Sequence, residues 1–219
     1  MGRELFGLFD DRRVHVLTDS VRASAIASLS ARESAAVTDV APKRRREFAT
    51  ARALAREGLE RFFGIRGFDL LNAKDRSPIW PRGIAGSISH SDTRAWVALV
   101  DAAYGTVGID GEDRNELDQK LWRLTLRDEE QAYLATLEPS IRGRRALVLF
   151  SAKEALYKAQ YPRSSSHMAY EALQVELAGA GSLRCSFRET IGPFPEGYTV
   201  DGRWLDAAGI LTTVWLPAR

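Results

Sequence analysis

Apolar residues recur along this chain with two different periods, and the change between them restricts the possible folds. From residue 42 to residue 63 they are spaced by three and four, as on one face of a helix that begins at Pro42 and ends before Gly64. Near the C-terminus, short stretches alternate apolar and polar residues instead, which predicts strands of an antiparallel sheet at residues 174–177, 183–187, 198–200 and 210–216. Helices mixed with antiparallel strands predict an α+β fold.

The middle of the chain supplies the remaining elements. Residues 95–100 and 106–110 read as two strands, joined by a turn. Helices are expected at about residues 127–137 and 141–160, the second stopped by Pro162. This order predicts two lobes of similar size, residues 1–104 and residues 105–219.

Cysteine content and hydropathy limit where such a protein works. Cys185 is the single cysteine, so no intrachain disulfide forms and a reducing compartment is expected. No apolar run approaches the length that spans a bilayer. Residues 10–13 are charged where a secretion signal needs an apolar stretch. We therefore expect a cytoplasmic protein with no membrane partner.

Basic residues are concentrated in the first predicted helix, although the net charge of the whole chain is only +2. Residues 43–66 contain eight basic side chains against three acidic ones. The basic residues are Lys43, Arg44, Arg45, Arg46, Arg52, Arg56, Arg61 and Arg66. Such a stripe suits an anionic partner, namely a polyphosphate, a nucleic acid or an acidic protein, or it is a solvated helix face.

A pair of carboxylates follows the predicted strand at residues 106–110. Asp110 and Glu112 are two residues apart, so in an extended segment their side chains point the same way. Two like charges at one point are costly unless a cation lies between them, and hard oxygen ligands suit Mg²⁺. The alternative is an acidic surface turn.

Two further groups of residues are candidates for catalysis or for phosphate binding. Glu154 and Lys158 are four residues apart on the predicted helix at residues 141–160. They form either a surface ion pair or a functional pair, in which Glu154 is a third metal ligand or a base and Lys158 binds a phosphate. Ser89 and His90 lie in the stretch Gly86 to Ser91, where a hydroxyl and an imidazole beside a small-residue turn can hold a phosphate. The alternative for His90 is a partly buried structural histidine.

Taken in order, these blocks resemble one family, the 4′-phosphopantetheinyl transferases of the surfactin and enterobactin type. The resemblance covers about residues 42–160, and the arginine block with Trp80-Pro81 is similar to the enterobactin-type branch. The matching blocks are Arg44-Arg45-Arg46-Glu47-Phe48 with Arg52, Trp80-Pro81, Gly86-Ser87-Ile88-Ser89-His90-Ser91, Val107-Gly108-Ile109-Asp110-Gly111-Glu112 and Phe150-Ser151-x-Lys153-Glu154-Ala155-x-Tyr157-Lys158.

The resemblance implies a fold and a set of site residues. It implies two pseudo-twofold-related lobes, each with a small antiparallel sheet packed on helices, with coenzyme A between them. It implies metal ligation by Asp110, Glu112 and Glu154, with Glu154 and Lys158 also counted as catalytic. It implies phosphate contacts from Arg44 or Arg45, Arg52, Lys74 or Arg76, Ser89, His90 and Lys158.

The resemblance also implies the reaction and its partners. The chain would move the 4′-phosphopantetheine arm of coenzyme A to a serine of an apo acyl or peptidyl carrier protein. It would release 3′,5′-ADP, use Mg²⁺ or Mn²⁺, and work as a monomer without nucleic acid. Three alternatives remain at this point: a nucleic-acid-binding module, another magnesium-dependent enzyme that cleaves pyrophosphate, and a homologue that binds coenzyme A without transferring its arm.

Overall fold

The computed structural model describes residues 2–5, 13–179, 181–206 and 209–218. The charged residues 10–12, on which part of the expectation of a cytoplasmic protein rests, lie outside these ranges. The chain divides into two compact units, the first Met1–Gly105 with Ala218–Arg219 and the second Thr106–Pro217. Each unit combines helices with one sheet, so the predicted α+β class is confirmed. No helix among the described residues is long and apolar enough to cross a membrane.

The described part of the first unit contains a four-stranded antiparallel sheet in the order β1-β2-β4-β3, two α-helices and two short 3₁₀ helices. Its elements are β1 (Arg3–Glu4), β2 (His15–Ser20), α1 (Ala31–Ala35), α2 (Pro42–Phe63), β3 (Ile84–His90) and β4 (Arg94–Asp101). Helix α2 packs on β2 and β4, and its predicted bounds are confirmed: Pro42 is at its first turn and Gly64 is the left-handed C-cap at φ 68°. Side chains from α2, β2 and β4, together with Leu70, form the core of this unit. Among them are Leu17, Leu54, Leu59, Val97 and Leu99.

Strand β3, which includes Ser89 and His90, was not predicted. Residues 84–90 are strand β3, paired with β4 along its whole length, so that Ile88 lies opposite Val97. The turn comes later, where the amide of Ser91 donates to the carbonyl of Arg94 at 2.9 Å. Small residues favour turns locally, but the cross-strand hydrogen bonds of a whole ladder outweigh that preference.

The second unit contains a five-stranded sheet in the order β5-β9-β8-β7-β6, in which the last four strands pair antiparallel. Its elements are β5 (Gly105–Glu112), α3 (Gln119–Thr125), α4 (Asp128–Ala135), α5 (Pro139–Ser164), β6 (Leu173–Leu177), β7 (Ser182–Phe187), β8 (Thr199–Asp206) and β9 (Ile210–Pro217). The four strands predicted near the C-terminus are confirmed. Helix α3 was not predicted, because its seven residues are too short to display a helical period.

The prediction that Pro162 ends the long helix is wrong. Helix α5 continues through Pro162 to Ser164, and Ser165 then turns left-handed at φ 51°. A proline inside a helix loses one backbone hydrogen bond and crowds the preceding turn. The loss falls in the last turn, where the amide of Ser165 donates to the carbonyl of Tyr161 at 2.8 Å and keeps the helix closed.

Strand β5 and helix α5 approach each other closely at Gly108. A Cβ there would lie 1.8 Å from the carbonyl oxygen of Ala155 and 2.7 Å from the amide nitrogen of Ala159. The hydroxyl of Thr106 also donates to the carbonyl of Ala159, at 2.7 Å. Gly108 therefore sets how near the helix lies to the strand that carries Asp110.

We expect Gly108→Ala to lower the free energy of unfolding by about 2–3 kcal/mol, because backbone atoms must move to admit the methyl group. Urea denaturation measures the change. Thr199→Ala, at an exposed position on β8, is the control and should stay within about 0.5 kcal/mol of the wild type. A Gly108→Ala protein as stable as that control would contradict the close approach.

Candidate active site

Asp110 is the most buried of the predicted metal ligands, with 6% of its surface exposed. The hydroxyl of Ser151 donates to its Oδ2 at 2.8 Å, and the ammonium of Lys158 donates to its Oδ1 at 2.7 Å. The hydroxyl oxygens of Ser151 and Thr212 also share a hydrogen bond at 2.7 Å. Helix α5 thus supplies both of these side-chain donors, and the Asp110 carboxylate is held between them.

Glu112, two residues further along β5, lies on the same side of the strand and has a different partner. Arg114 donates from Nε to Oε2 at 2.8 Å and from Nη2 to Oε1 at 2.7 Å, a two-bond guanidinium–carboxylate contact. The hydrogen bond to Glu112 raises the pKa of Arg114. Arg114 also lies over the ring of Phe150, 5.4 Å from its centre.

Glu154 receives a hydrogen bond from the hydroxyl of Tyr170 at Oε1. Burial and this contact with Glu154 raise the pKa of Tyr170, so the phenol stays protonated and acts as a donor. Ser151, Glu154 and Lys158 are spaced by three and four, which puts all three on one face of α5. The face that holds Asp110 therefore also presents Glu154.

The three predicted metal ligands, Asp110, Glu112 and Glu154, have the chemistry that a divalent cation needs. Three carboxylates on neighbouring faces of β5 and α5 provide the hard oxygen donors that Mg²⁺ takes. Across the described ranges, however, no three His, Cys, Asp or Glu side chains gather closely enough to hold an ion. Instead Asp110 contacts Lys158, Glu112 contacts Arg114 and Glu154 contacts Tyr170.

The neighbouring Lys153 points away from this face and into the interior. It is 1% exposed, and its ammonium contacts Glu130 at 2.7 Å, the carbonyl of Thr125 at 2.9 Å and the carbonyl of Tyr170 at 3.1 Å. Burial lowers the pKa of Lys153 and raises that of Glu130. Lys153 and Glu154 are adjacent in the sequence but belong to the core and to the site, respectively.

In the first unit, Arg44 and His90 meet in an open depression of about 360 Å³. Arg44 donates to Nε2 of His90, whose Nδ1 lies 3.3 Å from the carboxylate of Glu47. Lys43 lies at the same depression and contacts Asp92 at 2.5 Å. Two of the predicted phosphate contacts are therefore brought together, Arg44 from α2 and His90 from β3.

The arginine stripe of α2 is not a uniformly solvated face. Arg52 is only 4% exposed and donates to the carbonyl of Leu70 at 2.7 Å and to the side chain of Asn72. Burial lowers its pKa to about 10, which leaves it charged at neutral pH. Arg56 bonds the fully buried Glu33. The alternative of a solvated helix face is therefore wrong at these two positions, because Arg52 contacts Leu70 and Asn72 and Arg56 contacts Glu33 of α1.

Of the other predicted phosphate contacts, Lys158 lies on α5 in the second unit, and the rest are dispersed within the first unit. Ser89 is adjacent to His90 on β3, so the two side chains point to opposite faces of the sheet. The Nε atom of Arg45 is buried and has no hydrogen-bond partner among the described residues. Lys74 and Arg76 are both exposed on a tight loop, closed where the amide of Ala73 donates to the carbonyl of Ser77 at 2.8 Å.

Tyr170 and Ser151 contact the candidate site residues but were not predicted from the sequence. Tyr170 is the less apparent of the two. It lies outside the blocks that carry the family resemblance, and a lone tyrosine after a serine-rich stretch has no distinguishing spacing. Ser151 stood inside a matching block without an assigned role, and the structure places its hydroxyl on Asp110. Both contacts join residues distant in the sequence, so no local pattern could have predicted them.

Comparison with protein families gives two matches that together cover most of the chain. Residues 32–100 match the model of the 4′-phosphopantetheinyl transferase N-terminal domain. Residues 106–204 match the model of the 4′-phosphopantetheinyl transferase superfamily. The two matches correspond to the two compact units.

Curated relatives agree with these matches. The 4′-phosphopantetheinyl transferase Svp of Streptomyces mobaraensis is 32% identical over 209 residues, which is 91% of this chain and 82% of Svp. Npt of Nocardia iowensis is 32% identical, over 78% of this chain and 81% of Npt. PptT of Mycobacterium tuberculosis is 30% identical, over 78% of each protein.

Proposed function

Because the chain belongs to the 4′-phosphopantetheinyl transferase superfamily, we propose that it transfers the 4′-phosphopantetheine arm of coenzyme A to a serine of an apo carrier protein. The observation that carries this proposal is the single face of α5 on which Glu154 stands between Ser151 and Lys158, both of which hold Asp110. That face combines a carboxylate able to accept a proton with a cation able to bind phosphate.

The reaction needs a base and charge stabilisation. The serine hydroxyl of the carrier attacks the β-phosphorus of coenzyme A, the bond from that phosphorus to the bridging oxygen breaks, and 3′,5′-ADP leaves. A serine hydroxyl is a poor nucleophile until its proton is removed. Glu154 accepts that proton, and Lys158 binds a phosphate oxygen while retaining its contact with Asp110.

A divalent cation completes the proposed site. Asp110, Glu112 and Glu154 would hold Mg²⁺ or Mn²⁺, which would neutralise charge on the pyrophosphate. Arg114 and Tyr170 are the donors that now engage two of these carboxylates. Most of the rate enhancement then comes from positioning and electrostatics, as in other phosphoryl transfers.

We assign the depression at Arg44 and His90 to the phosphates of coenzyme A. Arg44, rather than Arg45, is the choice because it contacts His90. Lys74 or Arg76 adds a further charge from its exposed loop, and Ser89 remains a predicted contact. Arg52 serves the site differently in this proposal, by fixing the base of that loop through Leu70 and Asn72.

The partner in this proposal is an acyl or peptidyl carrier protein. Carriers of this class are acidic around their target serine, so basic residues near the site would steer docking and make it sensitive to salt. By analogy with the family, the helix predicted at residues 127–137 and the segment after Asp113 are candidate docking surfaces, and the acidic first turn of α4 itself does not supply the basic charge. The enterobactin-type branch, the monomeric state and the cytoplasmic location remain predictions.

Intact mass spectrometry of an apo carrier tests the proposed function. The carrier is incubated with this protein, coenzyme A and Mg²⁺, beside a sample with excess EDTA and a carrier whose target serine is alanine. We expect a gain the size of phosphopantetheine on the intact carrier, absent in both controls. Measurable binding of coenzyme A with no gain on any acyl or peptidyl carrier would reject transfer, and a gain that survives EDTA would reject the metal.

A further inference from the structure

Tyr170 contacts helix α5 at three points, through its hydroxyl, its backbone carbonyl and its ring. Its hydroxyl donates to Oε1 of Glu154, and its backbone carbonyl accepts from the buried Lys153 at 3.1 Å. Its ring packs against Phe150, with the ring centres 5.7 Å apart. The three helix residues span little more than one turn, so the contacts fix both the backbone and the ring of Tyr170 against the helix.

The segment that carries Tyr170 is itself anchored. Residues 170–172 form a short 3₁₀ turn just before β6. Arg127 donates to the carbonyl of Glu171, and the amide of Arg188 donates to the carbonyl of Ala172 at 2.8 Å. These hydrogen bonds hold the segment in place, so they also fix the position from which the hydroxyl of Tyr170 contacts Glu154. Supporting groups of this kind determine how accurately a catalytic group is oriented.

The chemistry of the contact defines what it does to Glu154. A phenol at neutral pH is protonated, so Tyr170 donates and the carboxylate accepts. One carboxylate oxygen, Oε1, is thereby engaged, and the rotation of the carboxylate about its last bond is restricted. Glu154 adjoins Lys153, which is immobilised by Glu130, so both the helix position and the side chain are held.

We propose that Tyr170 is a positioning residue for Glu154, which fixes the carboxylate so that Oε2 faces the proton of the carrier serine. The inference deepens the proposed function and rests on it for the role of Glu154. It assigns to Tyr170 an effect on the chemical step and none on the binding of coenzyme A. A phenylalanine at this position keeps the ring packing on Phe150 and removes only the donor.

The first measurement is the rate of carrier modification by Tyr170→Phe. We expect kcat to fall about tenfold, while the KM for coenzyme A stays within about twofold and the melting temperature is unchanged, because the donor acts on the base alone. The control is Tyr104→Phe, which loses a hydroxyl from an exposed tyrosine in the first unit and should match the wild type. A Tyr170→Phe enzyme with unchanged kcat, or with KM and kcat altered together, would overturn the proposal.

The second measurement does not depend on activity. In protein labelled with ¹³C at glutamate carboxyl groups, the Glu154 resonance is identified as the one lost in Glu154→Gln. We expect it to shift in Tyr170→Phe and to stay in place in Tyr104→Phe; a resonance that does not move refutes the contact. If the wild type modifies no carrier, the proposed function fails and the catalytic role of Tyr170 fails with it, whereas a shifted resonance still establishes that Tyr170 holds Glu154.

Discussion

Glu154→Gln is expected to reduce transfer of phosphopantetheine at least about 100-fold, because an amide cannot accept the serine proton. The substitution preserves size, and the amide oxygen can still accept the hydrogen bond from Tyr170. The loss therefore reports the missing charge and basicity of the carboxylate, not a disturbed fold. The initial rate of carrier modification, followed by intact mass, measures it.

A matched control separates this effect from the loss of a negative charge in general. Glu60→Gln removes a carboxylate from α2 whose side chain is 55% exposed and pairs with Arg66. We expect that variant to retain wild-type rates, and both variants to melt within a few degrees of the wild type. Transfer by Glu154→Gln within about fivefold of the wild type would remove Glu154 from the role of base.

Lys153→Met is expected to cost about 3–5 kcal/mol of stability, the largest effect on folding that we foresee. The substitution leaves Glu130, which is 2% exposed, as a buried charge without its cation. Glu130 would keep only the backbone amides of Val175 at 2.7 Å and Arg127 at 2.8 Å. Two carbonyls, those of Thr125 and Tyr170, would also lose a donor. Urea denaturation at neutral pH gives the difference.

The pH dependence of that difference has a definite sign. Burial already raises the pKa of Glu130, and the cation that opposes this rise is Lys153. Without Lys153 the folded-state pKa rises further above the unfolded value. A carboxyl group whose pKa is higher in the folded state than in the unfolded state stabilises the fold when it is protonated. This contribution is complete at pH values below the unfolded-state pKa and is lost as the pH rises through the folded-state pKa. The cost of Lys153→Met should therefore be largest at neutral pH and shrink toward pH 5.

A second substitution tests the cause. Glu130→Gln in the Lys153→Met background removes the buried charge and keeps an oxygen for the two backbone amides, so part of the lost stability should return. Lys120→Met, at an exposed position on α3, is the control for loss of a lysine and should stay within about 0.5 kcal/mol of the wild type. A double variant less stable than Lys153→Met would contradict the buried ion pair.

The elements that the sequence predicted correctly are those with a local physical signature. Helix α2 is 22 residues long, begins at a proline and is followed by a left-handed glycine, with a helical period along its length. Strands β6 and β7 alternate apolar and polar residues. Strand β3 and the continuation of α5 through Pro162 were missed, because pairing with β4 and closure of the last helical turn override local preference.

For the candidate site, the sequence by itself determined which residues are candidates, and the tertiary structure decided their partners. The spacing of Asp110 and Glu112 and of Glu154 and Lys158, together with the family resemblance, predicted them as the candidate acidic and basic groups. Only the fold turned Lys153 inward to Glu130, buried Arg52 beneath Leu70 and brought Tyr170 to Glu154. The physical reason is that residue type and period are local properties, whereas burial and hydrogen-bond partners depend on segments that are distant in the chain and meet only when it folds.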